Sequence, residues 1–492
     1  MTRTGAQRKK KAILGLDVGT TGTKALITGT DGIVLAKGYQ GYSLISDGNK
    51  VEQNADDWIS ACIFAVREAL RITVDLSIDA ISLSTQGGST VMVDEEFRPV
   101  GNAWTWMDGR SAEEVKELAD KLGEAHFYNA AGWKLNACFD PAKIMHFRKS
   151  TSKKVKYLTT LEYVNYFLAG KDVIDPGNAA IRQLYNIKTG EWDDDILRAA
   201  GASKGELPQI KPTGEYIGGL TEYAAEKFGL APGIPVYNGG HDQYCASIGS
   251  GALSIGDMLL STGTAWVVMG ITREALFTDT FIAPGPHPIK GLYGAIASLA
   301  CSGASLQWYK DNFLEEGFDV INYEIEKRYG GKSSPFFYPY LTGAGYPVWR
   351  PSAKGVFAGF TLDHGKFDFA GAIMEGVAFG LKRTLADFAE NGAVTKKLKI
   401  MGGAANSEIW KRIISAVADI PMEQMRETDT CALGAAMIAA VNAGIYENYE
   451  QAAQAFVKSD PIPKADIQEI QMYSDKYREY IRMWDFIEAC YK

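Results

Sequence analysis

Two stretches of this chain repeat one unusual design. Residues 14–27, LGLDVGTTGTKALI, and residues 256–270, GDMLLSTGTAWVVMG, each run as an apolar strand into a turn of Gly and Thr and leave it as a second strand. Later in each half a short apolar strand ends on paired glycines, DAISLSTQGGS at 79–89 and KKLKIMGGAANS at 396–407. Helical periodicity surrounds both, as in DDWISACIFAVREALRI and FAGAIMEGVAFGLKRTLADF. The pattern predicts a mixed α/β fold built in duplicate. The break between halves falls near Ser250, after GGHDQYCASIGSGAL, where small residues cluster without a polar linker. That divides the chain into an N-terminal lobe, 1–250, and a C-terminal lobe, 251–492, joined by a tight hinge.

Short Gly/Thr turns leave backbone N–H groups open to an outside acceptor, for which phosphate is the usual guest, although hairpins also use these residues for conformation alone. A dinucleotide fingerprint or a Walker loop needs a helix after its glycines. Here KALIT continues as a strand and turns again at GTDG, which excludes both. Two such hairpins, one per lobe, are expected to face each other across a cleft and hold the phosphate chain of a nucleotide from both sides.

Composition narrows the partners. The chain has 492 residues, 46% of them hydrophobic, enough for two or three cored domains. A net charge of −8 argues against nucleic acid, and the basic run Arg8–Lys11 reads as a solvated tail. No stretch reaches the ~18 apolar residues of a membrane span. No apolar leader precedes a cleavage site, so the expected compartment is the cytoplasm. The six cysteines form no CxxC pair and the five histidines are scattered, which indicates neither a zinc site nor a disulfide framework.

GLDVGTTGTK, WMDGR, GGHDQYCASIG, STGTAW, SGASLQW, YLTGAGYPVWRPSAKGVFAGFT and MGGAANSEIWK…ALGAAMIAA follow one another along residues 12–450. In this order they resemble the FGGY carbohydrate kinases, among them glycerol kinase and xylulokinase. The resemblance implies the duplicated actin-like, ribonuclease-H-like fold, with ATP and Mg²⁺ as cofactors and a small sugar or polyol as acceptor; it is compatible with a homodimer. Carried over by motif, Thr20, Thr21 and Lys24 resemble the first phosphate clamp, and Thr262, Gly263 and Thr264 the second. Asp17 resembles the carboxylate that orients Mg²⁺ through water. Gly303 and Gln307 stand where the family contacts nucleotide. Gly402 and Gly403 admit an adenine ring, with Asn406 nearby, in a loop shorter than that of glycerol kinase.

Asp242 resembles the general base that takes the proton of the acceptor hydroxyl. Gln243 beside it follows the glycerol kinase pattern, whereas xylulokinases more often have DN. At Gly87 and Gly88 glycerol kinase carries an Arg-Glu pair and xylulokinase a Met-His pair, so both familiar grips are missing. The two glycines are expected to enlarge the pocket or bring backbone amides close to sugar hydroxyls, with Gln86 giving one hydrogen bond. Trp106 aligns with the aromatic platform for the substrate's carbon chain, and Asp108 and Arg110 continue a xylulokinase-like W-x-D-G-R run.

Plainer readings stand beside these. Asp17 is also a turn carboxylate, Asp242 a helix cap, and Gln307 part of an ordinary helix. Trp104 reads as core, and the acidic run EWDDDIL at 191–197 as a solvated helix start rather than a metal site. His241 and Asp242 could form a catalytic dyad, but adjacent residues on a strand point to opposite faces. The reading that absorbs most of the motifs is an ATP-dependent sugar or polyol kinase, nearest a ketopentose kinase of the xylulokinase type. An erythritol-, glycerol- or gluconate-type kinase is its near rival. From other classes, a chaperone-like or filament-forming ATPase and a silent sugar sensor share the fold but need neither Asp242 nor Trp106.

Overall fold

The computed structural model describes residues 9–73, 75–329, 334–344, 346, 350 and 352–489. Arg8 of the basic run, Cys490, and Gly345, Pro347, Val348, Trp349 and Pro351 of the YLTGAGYPVWRP motif lie outside the described residues.

Two mixed sheets of seven strands each carry the molecule. The first holds β1 (Lys10–Val18), β2 (Gly22–Gly29), β3 (Val34–Gly41), β4 (Leu76–Thr85), β5 (Tyr216–Gly219), β6 (Pro235–Tyr237) and β7 (Gly240–His241). Its order is β5-β6-β4-β1-β2-β3, with β7 also paired to β4. The second holds β8 (Asp257–Thr262), β9 (Trp266–Thr272), β10 (Ala283–Pro286), β11 (Tyr293–Leu299), β12 (Lys397–Gly402), β13 (Met422–Met425) and β14 (Ser459–Ile462), in the order β10-β11-β9-β8-β12-β13-β14. Each sheet has the same heart: an antiparallel hairpin, β1–β2 or β8–β9, whose first strand pairs in parallel with a strand leading to paired glycines, β4 or β12. The duplication expected from the two hairpins is therefore present in strand order and direction.

β1 is buried on both faces, as a near-continuous apolar run requires. Ala12, Leu14, Leu16 and Val18 join the core under helix α1 (Ala55–Ile72), which contributes Trp58 and Cys62. Ile13 faces the other way and packs with helices α2 (Asp242–Ser250) and α6 (Thr430–Asn442). By strand alternation Gly15 and Asp17 share the face of Ile13. A Cβ at Gly15 would stand 2.1 Å from the carbonyl oxygen of Ala432, so α6 lies directly on the strand backbone. α6 meets α2 as closely: Gly434 has room for no side chain, its Cβ position being 1.8 Å from the Cys245 carbonyl oxygen. The Ala- and Gly-rich sequence TCALGAAMIAAVN is thus a packing surface, and a segment beyond residue 250 completes the core of the first sheet.

The second core lies between the second sheet and α4 (Lys366–Glu390) and α5 (Glu408–Ala418), with α3 (Ser302–Phe313) beside it. The lobes meet at a small apolar cluster of Ala246 from α2 with Leu259, Met401 and Met425 from the second sheet. A five-stranded sheet inserted in the first half includes Lys50–Gln53, Thr90–Val93 and Ala103–Trp104, and borders the end of β4. Behind it the guanidinium of Arg182, wholly buried, bonds Asp140 at 2.5 Å and Glu162 at 3.2 Å. The acidic run at 191–197 opens a helix, Asp194–Ala200, with Asp193 as its N-cap. No helix among the described residues is long and apolar enough to cross a membrane.

Candidate active site

The first hairpin turns over Gly19–Thr21, closed by the Gly19 amide donating to the Gly22 carbonyl at 3.0 Å. Asp17, one step before the turn, is buried and accepts from the Ser84 hydroxyl at 2.9 Å. Burial pushes its carboxyl up to about 7 against the pull of Lys24, and the charge of Asp242 adds to the rise. Lys24 is engaged elsewhere: its ammonium pairs with Asp429 at 2.9 Å, at the start of α6, where Lys37 also bonds Asp429 and Glu427. Thr21 is exposed, while Thr20 is tied on both sides, its carbonyl accepting from Gln53 and its hydroxyl from Trp106 Nε1 at 3.0 Å.

The second hairpin is pinned at Thr262, whose hydroxyl donates to the Met401 carbonyl at 2.6 Å and accepts from the Ala404 amide at 3.1 Å. That fastens the turn to the loop after β12, where Gly402 takes φ +92. A Cβ there would stand 2.6 Å from the Thr262 carbonyl oxygen. Gly263 and Thr264 are exposed. Gly303, at the start of α3, lets that helix touch the turn, since a Cβ would lie 2.3 Å from the Gly263 oxygen. Together these elements enclose a cavity of about 680 Å³. Of the residues the motifs named, Thr262, Gly263, Thr264, Gly303, Gln307, Gly403 and Asn406 line it, and Gly402, packed against the Thr262 carbonyl, does not. Trp308, the last residue of SGASLQW, lines it too, as do Phe318 and Asn322, which carried no sequence signal because aromatic and amide residues on helices read equally well as surface. Asn322 accepts from Ser407, which caps α5.

The acceptor side differs from expectation in three ways. Gly87 and Gly88 do not enlarge the pocket, because neighbours occupy the space. The His241 ring sits where a Gly87 side chain would begin, with Cδ2 2.4 Å and Nε2 2.6 Å from that Cβ position. Gly88, at φ +71, has Trp106 Cβ 3.2 Å from its own Cβ position. Asp108 and Arg110 do not stand free to bond hydroxyls. Asp108 is fully buried, accepting from the Val51 amide at 2.8 Å and from Arg110 at 2.6 Å, while Arg110 also holds Glu52 at 2.5 Å. The guanidinium lies 4.2 Å from the centre of the Trp104 ring, which accounts for Trp104 as a packed residue. Third, β7 ends at His241 and α2 begins at Asp242, so strand alternation does not separate the two side chains; Nε2 and Oδ1 are 3.5 Å apart.

Asp242 is the first residue of α2 rather than its cap, the N-cap position belonging to His241. A carboxylate there is favoured by the helix dipole and stays partly open to solvent. Trp106 is 45% exposed. Gln86 is buried, its amide nitrogen donating to Gln53 at 2.8 Å, and its Oε1 has no partner; Gln243 Oε1 is likewise buried without one. Reading the motifs missed Lys143. Its ammonium, wholly buried, donates to the carbonyls of Gly88 at 2.7 Å and Trp104 at 3.0 Å and fixes the glycine turn against the insert. A lysine inside the buried face of Asp140–Ser150 was the available signal.

The site thus joins a nucleotide-sized cavity, two Gly/Thr turns and two neighbouring carboxylates. The family model described as the N-terminal domain of the FGGY family of carbohydrate kinases matches residues 12–249, and the C-terminal domain matches residues 258–443. A relative named xylulose kinase from Bacillus subtilis is 28% identical over 480 residues, covering 96% of each chain. Among solved structures, a xylulose kinase and a gluconate kinase, both from Lactobacillus acidophilus, share the fold with TM-scores of 0.91 and 0.92. Both are 23% identical to this chain, with 98% of it and 99% of theirs covered. The chain therefore belongs to the FGGY family of carbohydrate kinases.

Proposed function

We propose that the protein transfers the γ-phosphoryl group of ATP to a hydroxyl of a small sugar or polyol, with a ketopentose such as xylulose as the preferred acceptor. The observation that carries this reading is the nearness of Asp242, partly open at the start of α2, to the buried Asp17 beneath the first phosphate turn. Asp242 accepts the proton as the acceptor oxygen bonds to the γ-phosphorus and the bond to ADP breaks. Trp106 offers its face to the carbon chain. The second hairpin, Gly303, Gln307, Gly402, Gly403 and Asn406 hold the nucleotide, while Thr20, Thr21 and Lys24 meet its phosphates from the other lobe. Lys24 does so by leaving Asp429.

A divalent cation fits at Asp17. Its carboxyl is held high by burial and by a second carboxylate, an arrangement that a hard cation with oxygen ligands relieves. Bound Mg²⁺ would neutralise charge on the β- and γ-phosphates. The name of the Bacillus subtilis relative and the Trp106–Arg110 run support a ketopentose over other acceptors.

The test is coupled ADP release with Mg-ATP across ketopentoses, alditols, aldonates and deoxysugars, with a no-sugar control. Release that depends on a ketopentose is the expected result. Preference for an aldonate or glycerol would replace the acceptor only. Equal release with and without every sugar would overturn the kinase reading in favour of a chaperone-like or filament-forming ATPase.

A further inference from the structure

Asp429 stands where the chain returns from the second sheet to the first. β13 ends at Met425, α6 begins at Thr430, and residues 426–429 carry the chain across. One end of this crossing is tied to the second sheet, Arg426 bonding Asp460 of β14 at 2.8 Å. The other end is tied to the first. Asp429 occupies the N-cap position of α6, yet its side chain caps nothing. Its Oδ1 pairs with the Lys24 ammonium at 2.9 Å and its Oδ2 with that of Lys37 at 2.8 Å. An aspartate at an N-cap ordinarily accepts from the first amides of its own helix, so here both oxygens are diverted to the sheet.

The two lysines are not equivalent. Lys24, just past the phosphate turn, stands opposite Asp17 in the register of β1 and β2, whereas Lys37 lies on β3 opposite Leu26. Lys37 has a second carboxylate, Glu427 at 2.5 Å, whose Oε1 also accepts from the Asp429 amide at 2.9 Å. Lys37 and Glu427 thus hold Asp429 in place without help from Lys24. The Lys24 side chain is 42% exposed, and a pocket of about 330 Å³ lined by Lys24, Lys37, Tyr39 and Asp429 gives it room to swing. Burial opposes a charge on Asp429, but hydrogen bonds from Lys37 and Lys24 keep its carboxyl below the ordinary carboxylate range.

Resting on the kinase reading above, we propose that Asp429 is a positioning residue that holds Lys24 in reserve and thereby sets how tightly nucleotide binds. Phosphate oxygens take the ammonium from Oδ1, while Lys37 keeps Oδ2 and the crossing stays fastened to the sheet. An ion pair that must open first reduces the apparent affinity by the fraction of molecules in which it stands open. When nucleotide leaves, the carboxylate reclaims the lysine.

The test is isothermal titration calorimetry of the full-length protein, without sugar, using the magnesium complex of β,γ-methylene-ATP, which is not turned over. Asp429→Asn removes the competing charge and should tighten binding about three- to tenfold. Lys37→Met leaves both oxygens to Lys24 and should weaken binding about two- to fivefold. Lys24→Met should weaken it as well, and in that background neither the change at 429 nor the change at 37 should matter. The opposite signs separate this competition from a purely structural role, in which every variant loses affinity. A loss or no change in Asp429→Asn, or a gain that survives in Lys24→Met, would overturn the proposal. If Asp429→Asn fails to fold, Lys37→Met carries the comparison, and an affinity unchanged by it overturns the proposal equally. A natural chain that binds the analogue but phosphorylates no sugar would end the kinase reading, with the competition for Lys24 still read from the same titrations. No binding at all removes the nucleotide site and this proposal with it.

Discussion

The two lobes use one strand plan for opposite purposes. In the second, the hairpin, the loop after β12 and the start of α3 approach so closely that Gly303 and Gly402 have no room for a Cβ, and the result is an open cavity of about 680 Å³ between these turns and the rings of Trp266, Trp308, Phe318 and Trp410. In the first, the equivalent region is filled by side chains bound to one another: Gln53 to Gln86 and Thr20, Trp106 to Thr20, Arg110 to Asp108, Lys143 to the Gly88 carbonyl. A nucleotide presents the same phosphates and base to every member of such a family and can be held by one set of turns and apolar walls. An acceptor differs from one enzyme to the next, so its half is written in side chains, which change without disturbing the sheet.

If that contrast is right, damage on the two sides should separate. The largest effect is expected from Asp242→Asn, which removes the proton acceptor and should lower kcat about 10²- to 10⁴-fold with little change in KM for ATP; steady-state kinetics with both substrates varied would show it, and unchanged turnover would remove Asp242 as the base. Next comes Gly87→Ala. Its new methyl group meets the His241 ring and should cost about 1–3 kcal/mol in chemical denaturation. The double variant Gly87→Ala, His241→Gly should recover most of that loss; failure to recover would mean that the glycine serves the backbone instead. Thr262→Val, in the other lobe, strands the Met401 carbonyl and the Ala404 amide. It should cost about 1–2 kcal/mol and raise KM for ATP several-fold while sparing KM for the acceptor.

The smallest effect concerns pH. Burial pushes the Glu162 carboxyl up to about 7, against the pull of Arg182. An acid raised in the folded state contributes stability that is complete below its unfolded value, near 4.3, and is lost as pH rises through about 7. Thermal denaturation at pH 6 and pH 8 should therefore show the natural chain losing about 1 kcal/mol more than Glu162→Gln. Parallel curves would mean that Arg182 holds Glu162 ionised throughout.

The same contrast governs what could be read from the residues alone. Both hairpins, both Gly-Gly strand ends and the cavity-lining Gly303 and Asn406 are legible, because turns and close approaches demand glycine and threonine at fixed places. The acceptor wall is not. Gly87-Gly88 suggests open space along the chain, and only the parallel register of β7 on β4 reveals the histidine that fills it. Asp108 and Arg110 look like ligands until Glu52 and the Val51 amide, far off in sequence, are seen to claim them. Strand alternation misjudged His241 and Asp242 because the strand stops between them.

The close fit of α6 against β1 and α2 bears on how the protein is made. Ile13, Leu26 and Ala80 leave the ribosome early, but the helix that covers them begins at Thr430. At ~5–20 residues per second, the first sheet waits roughly ten to forty seconds after α2 emerges before its second face is closed. During that interval an apolar strand face stands open in the growing chain, which makes the N-terminal half a natural client for chaperones and a poor candidate for expression by itself.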